Sequence, residues 1–216
     1  MHELNLELWQ GQVTGFLGLN GAGKTTSMRL LCGTLAPDSG SVSIAGHDLR
    51  DHPIAARAQL GYLPDTPPLY GELTVKEYLN YCAKLRGVAT RDVASAVQLS
   101  CQRTGLGDYS EQRCEGLSRG YRQRLGIAQA IVHSPRVVIL DEPTPGLDPR
   151  QIEEIRELIR ALRASATVLL STHLLAEVHA VCDNVIVLHD GRVVHSGPVD
   201  ASLETTFFSL TGGGDP

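Results

Sequence analysis

Eight residues near the start of the chain, Gly18-Leu19-Asn20-Gly21-Ala22-Gly23-Lys24-Thr25, fit the pattern G-x-x-x-x-G-K-[ST] without a mismatch. They follow the apolar run Val13 to Leu17 and precede a stretch that reads as a helix from about Gly23 to Gly33. At such a strand-to-helix turn the glycines let backbone N–H groups wrap a phosphate chain, and the helix N-terminus adds positive potential. Asn20, Gly21, Ala22, Gly23, Lys24, Thr25 and Thr26 are therefore the expected nucleotide-binding residues. Lys24 is placed to hold the β and γ phosphates, and Thr25 to offer its hydroxyl to the accompanying magnesium ion.

A second signal stands far along the chain. Val137-Val138-Ile139-Leu140-Asp141-Glu142 reads as a buried strand ending in two carboxylates. That arrangement puts Asp141 beside the magnesium ion at the strand's carboxyl end and Glu142 one residue further, toward the γ-phosphate. A carboxylate there can take a proton from, or orient, an attacking water.

The periodicity around these motifs predicts a mainly parallel sheet. Residues 4 to 8 alternate and are expected to pair as a strand with Val13 to Leu17 across a turn at Gln10-Gly11. Ser41 to Ala45, closed by Gly46, reads as a third strand on the sheet's antiparallel side. From about 67 to 135 the strand signal stops, and helices are expected near 73 to 86, 90 to 103 and 119 to 134, a helical insertion. Strands resume at Val137 to Leu140, Thr167 to Ser171 and Val185 to Leu188, interleaved with helices at 149 to 163 and 174 to 182. A hairpin through His189-Asp190-Gly191 to Arg192–His195 ends the core, and a Gly212-Gly213-Gly214 run follows near the end.

Composition narrows the class of partner. The 216 residues carry 19 Lys+Arg against 24 Asp+Glu. The only lysines are Lys24, Lys76 and Lys84, which make no basic stripe for nucleic acid. No apolar run exceeds four residues, against the roughly 20 that span a bilayer, so contact with a membrane is expected to go through another chain. The beginning Met1-His2-Glu3-Leu4-Asn5 has no secretory pattern, which reads as cytoplasmic. Five widely spaced cysteines, Cys32, Cys82, Cys101, Cys114 and Cys182, match neither a zinc site nor a disulfide framework and read as reduced core thiols.

Leu117-Ser118-Arg119-Gly120-Tyr121, 20 residues before Val137, completes a set with the two motifs above, and on that set the chain resembles the ATP-binding cassette family of ATPases. The common form of this signature loop is L-S-G-G-Q. Arg119 and Tyr121 depart from it, while Ser118 and Gly120, the family's phosphate-contacting positions, are kept. Ser118 also suits the N-cap of the following helix. His173, ending Leu170-Ser171-Thr172-His173, is similar to the family's switch histidine, which senses the γ-phosphate. Asp148, before Pro149, occupies the loop that in the family crosses a dimer interface; it is equally an N-cap for the helix carrying Ile152, Ile155, Leu158, Ile159 and Leu162. Gly61-Tyr62-Leu63-Pro64-Asp65 resembles the Q-loop, with Asp65 where a glutamine usually approaches magnesium.

The resemblance implies an α/β P-loop NTPase fold with a mainly parallel core sheet, an antiparallel β subdomain and an inserted helical subdomain, all in one cassette domain over 1–216. It implies ATP and Mg2+ as ligands, Glu142 and His173 as the catalytic pair, and metal contacts from Thr25, Asp141 and Asp65. Ser118 of one copy is then expected to face Lys24 of the other in a homodimer or heterodimer of cassettes. The partner would be a multi-spanning transmembrane permease, with this chain peripheral at the cytoplasmic face of the cell membrane and no nucleic acid involved. The segment Leu203 to Gly212 looks like the tail of an exporter-type branch.

Only 23 residues precede Lys24, where family members carry a further strand and an adenine-stacking aromatic residue, so the chain reads as an N-terminally short member. Trp9, beside the Gln10-Gly11 turn, reads as a structural strand residue. Leu69 and Tyr70, after Pro67-Pro68, are expected to be held toward solvent as a docking surface for the permease. Two alternatives stay open: a non-catalytic cassette and a soluble one not coupled to transport. A GTP switch would need N-K-x-D, which no lysine here supplies.

Overall fold

The structure is a computed structural model that describes residues 2–212, so Gly213 and Gly214 of the glycine run lie outside it. Its frame is a six-stranded sheet of β1 (Val13–Leu17), β4 (Leu60–Leu63), β5 (Val137–Asp141), β6 (Thr167–Thr172), β7 (Asn184–His189) and β8 (Arg192–Pro198), in the order β4-β5-β6-β1-β7-β8. All neighbours are parallel except β7 and β8, which form the terminal hairpin. The central strands β1, β5 and β6 are buried almost throughout because helices cover both faces.

Alternate residues of one strand feed opposite cores. Val138 and Leu140 of β5, with Val168 and Leu170 of β6, pack against Ile127 and Ile131 of α5 (Arg119–Ile131) and against Ile155, Leu158, Ile159 and Leu162 of α6 (Pro149–Leu162). Ile139 and Leu169 face the other way, onto Met28 of α1 (Lys24–Leu31) and Ala56 of α2 (Pro53–Ala58). Each such side chain, fully buried, stabilises the fold by roughly 1.5–3 kcal/mol. Between β4 and β5 the chain builds a separate helical core from α3 (Val75–Leu85), α4 (Val93–Thr104) and α5. α3 opens with a capping box, Thr74 accepting from the Glu77 N–H and Glu77 from the Thr74 N–H. α7 (Leu175–Val181) and α8 (Leu203–Thr211) close the fold beside β1 and β7.

An antiparallel β part is present as expected, but it is built from fewer residues than the sequence suggests. Residues 4 to 8 form no strand: Leu4, Leu6 and Leu8 are half-buried against the Phe16–Ile44 core without joining a ladder. Alternation reports which face is buried and not whether hydrogen-bonding partners exist. The run at Ser41 to Ala45 shrinks to β2 (Ser43–Ile44), paired only with β3 (His47–Asp48) across the left-handed Ala45-Gly46 turn. It stands apart from the six-stranded sheet as a two-stranded one.

β4, which the sequence does not announce as a strand, is the edge of the sheet, and its outward carbonyls are taken by α5 and the residues just beyond it. Gln129 donates to Tyr62 O at 2.7 Å, and His133 Nε2 lies 3.1 Å from Leu60 O. Satisfied carbonyls along an edge remove a template for unwanted strand pairing. The five cysteines are free, four of them buried and Cys182 half-buried. Burial pushes the Cys32 and Cys182 thiols up to about 12, which keeps them protonated.

Candidate active site

β1, β4, β5 and β6 all run the same way, so their carboxyl ends deliver four loops to one edge of the sheet. After β1 the chain turns through Gly21 at φ +85° and Gly23 at φ +106°, conformations that an L side chain rarely adopts, before entering α1 at Lys24. Gly18 is constrained differently: an added Cβ would lie 2.7 Å from Leu188 O. Ala22 gives its carbonyl to the Gly191 N–H and buries its methyl in the core. Thr25 and Thr26 stand exposed in the first turn of α1.

Lys24 is buried, and its ammonium donates to Gly18 O at 2.8 Å and Leu19 O at 3.3 Å. It also lies 3.6 Å from Glu142 Oε1. The carboxylate of Glu142 is held from the other side by His173, whose Nδ1 is 3.0 Å from both oxygens. Glu142 itself has φ +48°, a strained backbone for a non-glycine residue, fixed by its N–H donating to Ser171 O at 3.0 Å. A lysine, a carboxylate and an imidazole thus meet through side chains that come from α1, from the end of β5 and from the end of β6. Burial, with Glu142 and Asp65 nearby, holds the Asp141 carboxyl above its usual range.

These groups line a cleft of about 440 Å³ that also includes Asn20, Gly21, Gly23, Thr25 and Thr26. Asp65 lines it too, so the aspartate in place of glutamine is on the site's wall. Pro145, which the sequence did not single out, is a further wall residue. Ser118 and Gly120 are not in this cleft. Ser118 caps α5, accepting from the Tyr121 N–H, and Gly120 is buried where an added Cβ would lie 2.6 Å from the Gln151 side chain. Asp148 is the N-cap of α6, accepting from the Gln151 N–H at 2.9 Å.

Two other expectations resolve at a distance from the cleft. Trp9 is not the strand residue expected: it is exposed, outside any strand and before the start of β1, at the opposite edge of the sheet from the glycine loop, which follows β1. Leu69 does not face solvent; it packs partly against the helical core, whereas Tyr70 stays exposed with its ring edge-on to Tyr78 and Tyr81. A larger cleft of about 810 Å³ lies near Trp9's end of the sheet, between Leu6–Leu8, Ser41–Ala45 and Ala164–Thr167, and is lined by none of the expected nucleotide-binding, catalytic or metal residues.

The sequence profile of a family described as ABC transporter matches residues 1–145. The ABC transporter ATP-binding protein NatA of Bacillus subtilis (strain 168) is 36% identical over 207 residues, 95% of this chain and 84% of NatA. The bacitracin transport ATP-binding protein BcrA of Bacillus licheniformis is 37% identical over 199 residues, which are 91% of this chain and 64% of BcrA. Among solved structures, cbiO1 from Clostridium perfringens, described as part of the ABC transporter complex cbiONQ, superposes with a TM-score of 0.84. It is 29% identical, with 94% of this chain and 84% of that one covered.

Proposed function

Since this chain belongs to the ABC transporter family, as an ATP-binding subunit with ATP hydrolase activity, we propose that it powers export through a separate transmembrane permease. The observation that carries the catalytic reading is the meeting of Lys24, Glu142 and His173 on one cleft. The names of BcrA and cbiO1 support the coupling to transport. Among the described residues no helix is long and apolar enough to cross a membrane, so a permease partner would supply the pathway.

In this reading the glycine loop and the N-terminus of α1 cradle the phosphates of ATP, with Lys24 turned from the Glu142 carboxylate to the terminal phosphates. The donor set fits magnesium: the buried carboxylate of Asp141, the hydroxyl of Thr25 and the Asp65 carboxylate on the same wall would hold it, with the remaining positions left to phosphate oxygens and water. Among the described residues no cluster of three or more His, Cys, Asp or Glu side chains forms a self-sufficient metal cage, which suits an ion that arrives with its nucleotide. Bound magnesium would neutralise charge on the phosphates. Glu142 takes the proton of the attacking water, whose oxygen bonds to the γ-phosphorus as the bond to the ADP oxygen breaks. His173 holds the Glu142 carboxylate in place. Ser118 and Gly120, outside this cleft, serve the cleft of a second cassette in a head-to-tail homodimer or heterodimer, peripheral to the membrane at its cytoplasmic face.

The test is Glu142→Gln, which keeps the shape and removes the base. Hydrolysis should slow by at least roughly 100-fold while ATP binding persists. Wild-type turnover in this variant would remove Glu142 from the role. Copurification with a multi-spanning membrane protein encoded beside it tests the partner, and hydrolysis without any such partner would favour a soluble cassette.

A further inference from the structure

The two residues that depart from the common signature loop both have partners inside the protomer. Tyr121 turns into the helical core and stacks on Tyr109, ring centroids 3.9 Å apart, with the Arg124 guanidinium 5.9 Å from its own centroid. Arg119 reaches the other way, across to the loop that follows Glu142. Its Nη2 donates to Pro145 O at 2.8 Å, and its guanidinium lies so close over Gly146 that an added Cβ there would be 2.6 Å from Nη2.

We propose that Arg119 is a positioning residue for hydrolysis: by clamping the Pro145–Gly146 peptide it fixes the start of α5 against the loop that begins at Glu142. The inference rests on the ATPase reading above. Two residues, Pro143 and Thr144, separate the clamp from the glutamate, and two of the next four after Glu142, Pro143 and Pro145, have φ fixed by their rings. Glu142 is already in a strained conformation. Such a segment absorbs little displacement, so a shift at Pro145 passes to the carboxylate. The other end of the loop is pinned by Asp148 at the cap of α6 and by the Leu147 N–H on Thr144 O. Pro145 is also part of the cleft wall, which places the clamp directly behind the site.

Arg119→Gly restores the family's common residue at an exposed position, so folding should survive, and Arg119→Lys keeps a donor for Pro145 O without the flat cover over Gly146. We expect Arg119→Gly to lower kcat at least about fivefold with the KM for ATP changed less than about twofold, since Lys24, Thr25 and Asp141 are untouched. Arg119→Lys should recover part of the loss. Amide exchange at Gly146 and Leu147, measured without nucleotide, should quicken in Arg119→Gly. Unchanged kcat, a KM that rises in step with it, or unaltered exchange would each overturn the proposal. Absence of ATP hydrolysis in the wild type would instead overturn the ATPase reading, and the exchange measurement would still decide whether the clamp exists.

Discussion

Gly61→Ala is the sharpest test of how the edge strand β4 holds the signature helix in place. A Cβ at Gly61 would lie 2.9 Å from the carbonyl carbon of Ala130, nearer still to its oxygen, and 3.1 Å from Pro135 Cγ. Ala130 is backbone inside α5, so nothing flexible can step aside. The helix must retreat by more than about an ångström at that oxygen to restore ordinary contact, a strain that places the change among overpacked cores at about 2 kcal/mol. Retreat also stretches the bonds from Gln129 and His133 to β4 carbonyls, at about 1 kcal/mol each. Removing a glycine from a strand returns about 0.7 kcal/mol, which leaves a net loss of about 3 kcal/mol. For a chain of this size that is a fall in Tm of about 6–12 °C. Urea unfolding of wild type and variant measures it, and ATP hydrolysis should fall as well, because Ser118 and Arg119 open the displaced helix. A variant within about 0.5 kcal/mol of wild type would show that α5 and β4 are not locked together in this way.

Two further outcomes follow from particular side chains. Burial, aided by Arg86, lowers the His133 imidazole to about 4 from its ordinary 6.5, so the folded state prefers it neutral. Its contribution is present above pH 6.5 and is lost as pH falls toward 4, by about 1.4 kcal/mol per pH unit within that window. His133→Gln keeps a donor for Leu60 O and should flatten this part of the pH–stability curve; an unchanged slope would mean that another group titrates there. Trp9→Ala should leave ATP affinity and the preference for ATP over GTP unaltered in a nucleotide titration, and a loss of either would contradict the placement of Trp9 at the far edge of the sheet.

The candidate site was legible because its motifs carry their own local geometry. A glycine loop after an apolar strand, and an apolar strand ending in two carboxylates, dictate where Lys24, Asp141 and Glu142 must go, and the parallel sheet brings them together. What escaped the sequence depends on partners far away in the chain. β4 is four residues with a glycine in the middle, and only its register on β5 makes it a strand. Leu4 to Leu8 has the right alternation and lacks a ladder, which no local pattern reveals. α2, six residues introduced by Pro53, is too short for periodicity to report. Likewise the contact of Arg119 with Pro145 spans 26 residues, so at the sequence level Arg119 was only a mismatch to a motif.

The left-handed backbone of Glu142 has a consequence for anyone engineering this chain. Glycine or asparagine would relax that turn, whereas glutamate sits there under strain of order 1–3 kcal/mol. A library ranked by melting temperature alone would therefore drift toward replacing the residue proposed above as the base, and on that proposal would score the inactive variants as improvements. Thermostabilisation of this cassette has to hold position 142 fixed and look for its gains elsewhere.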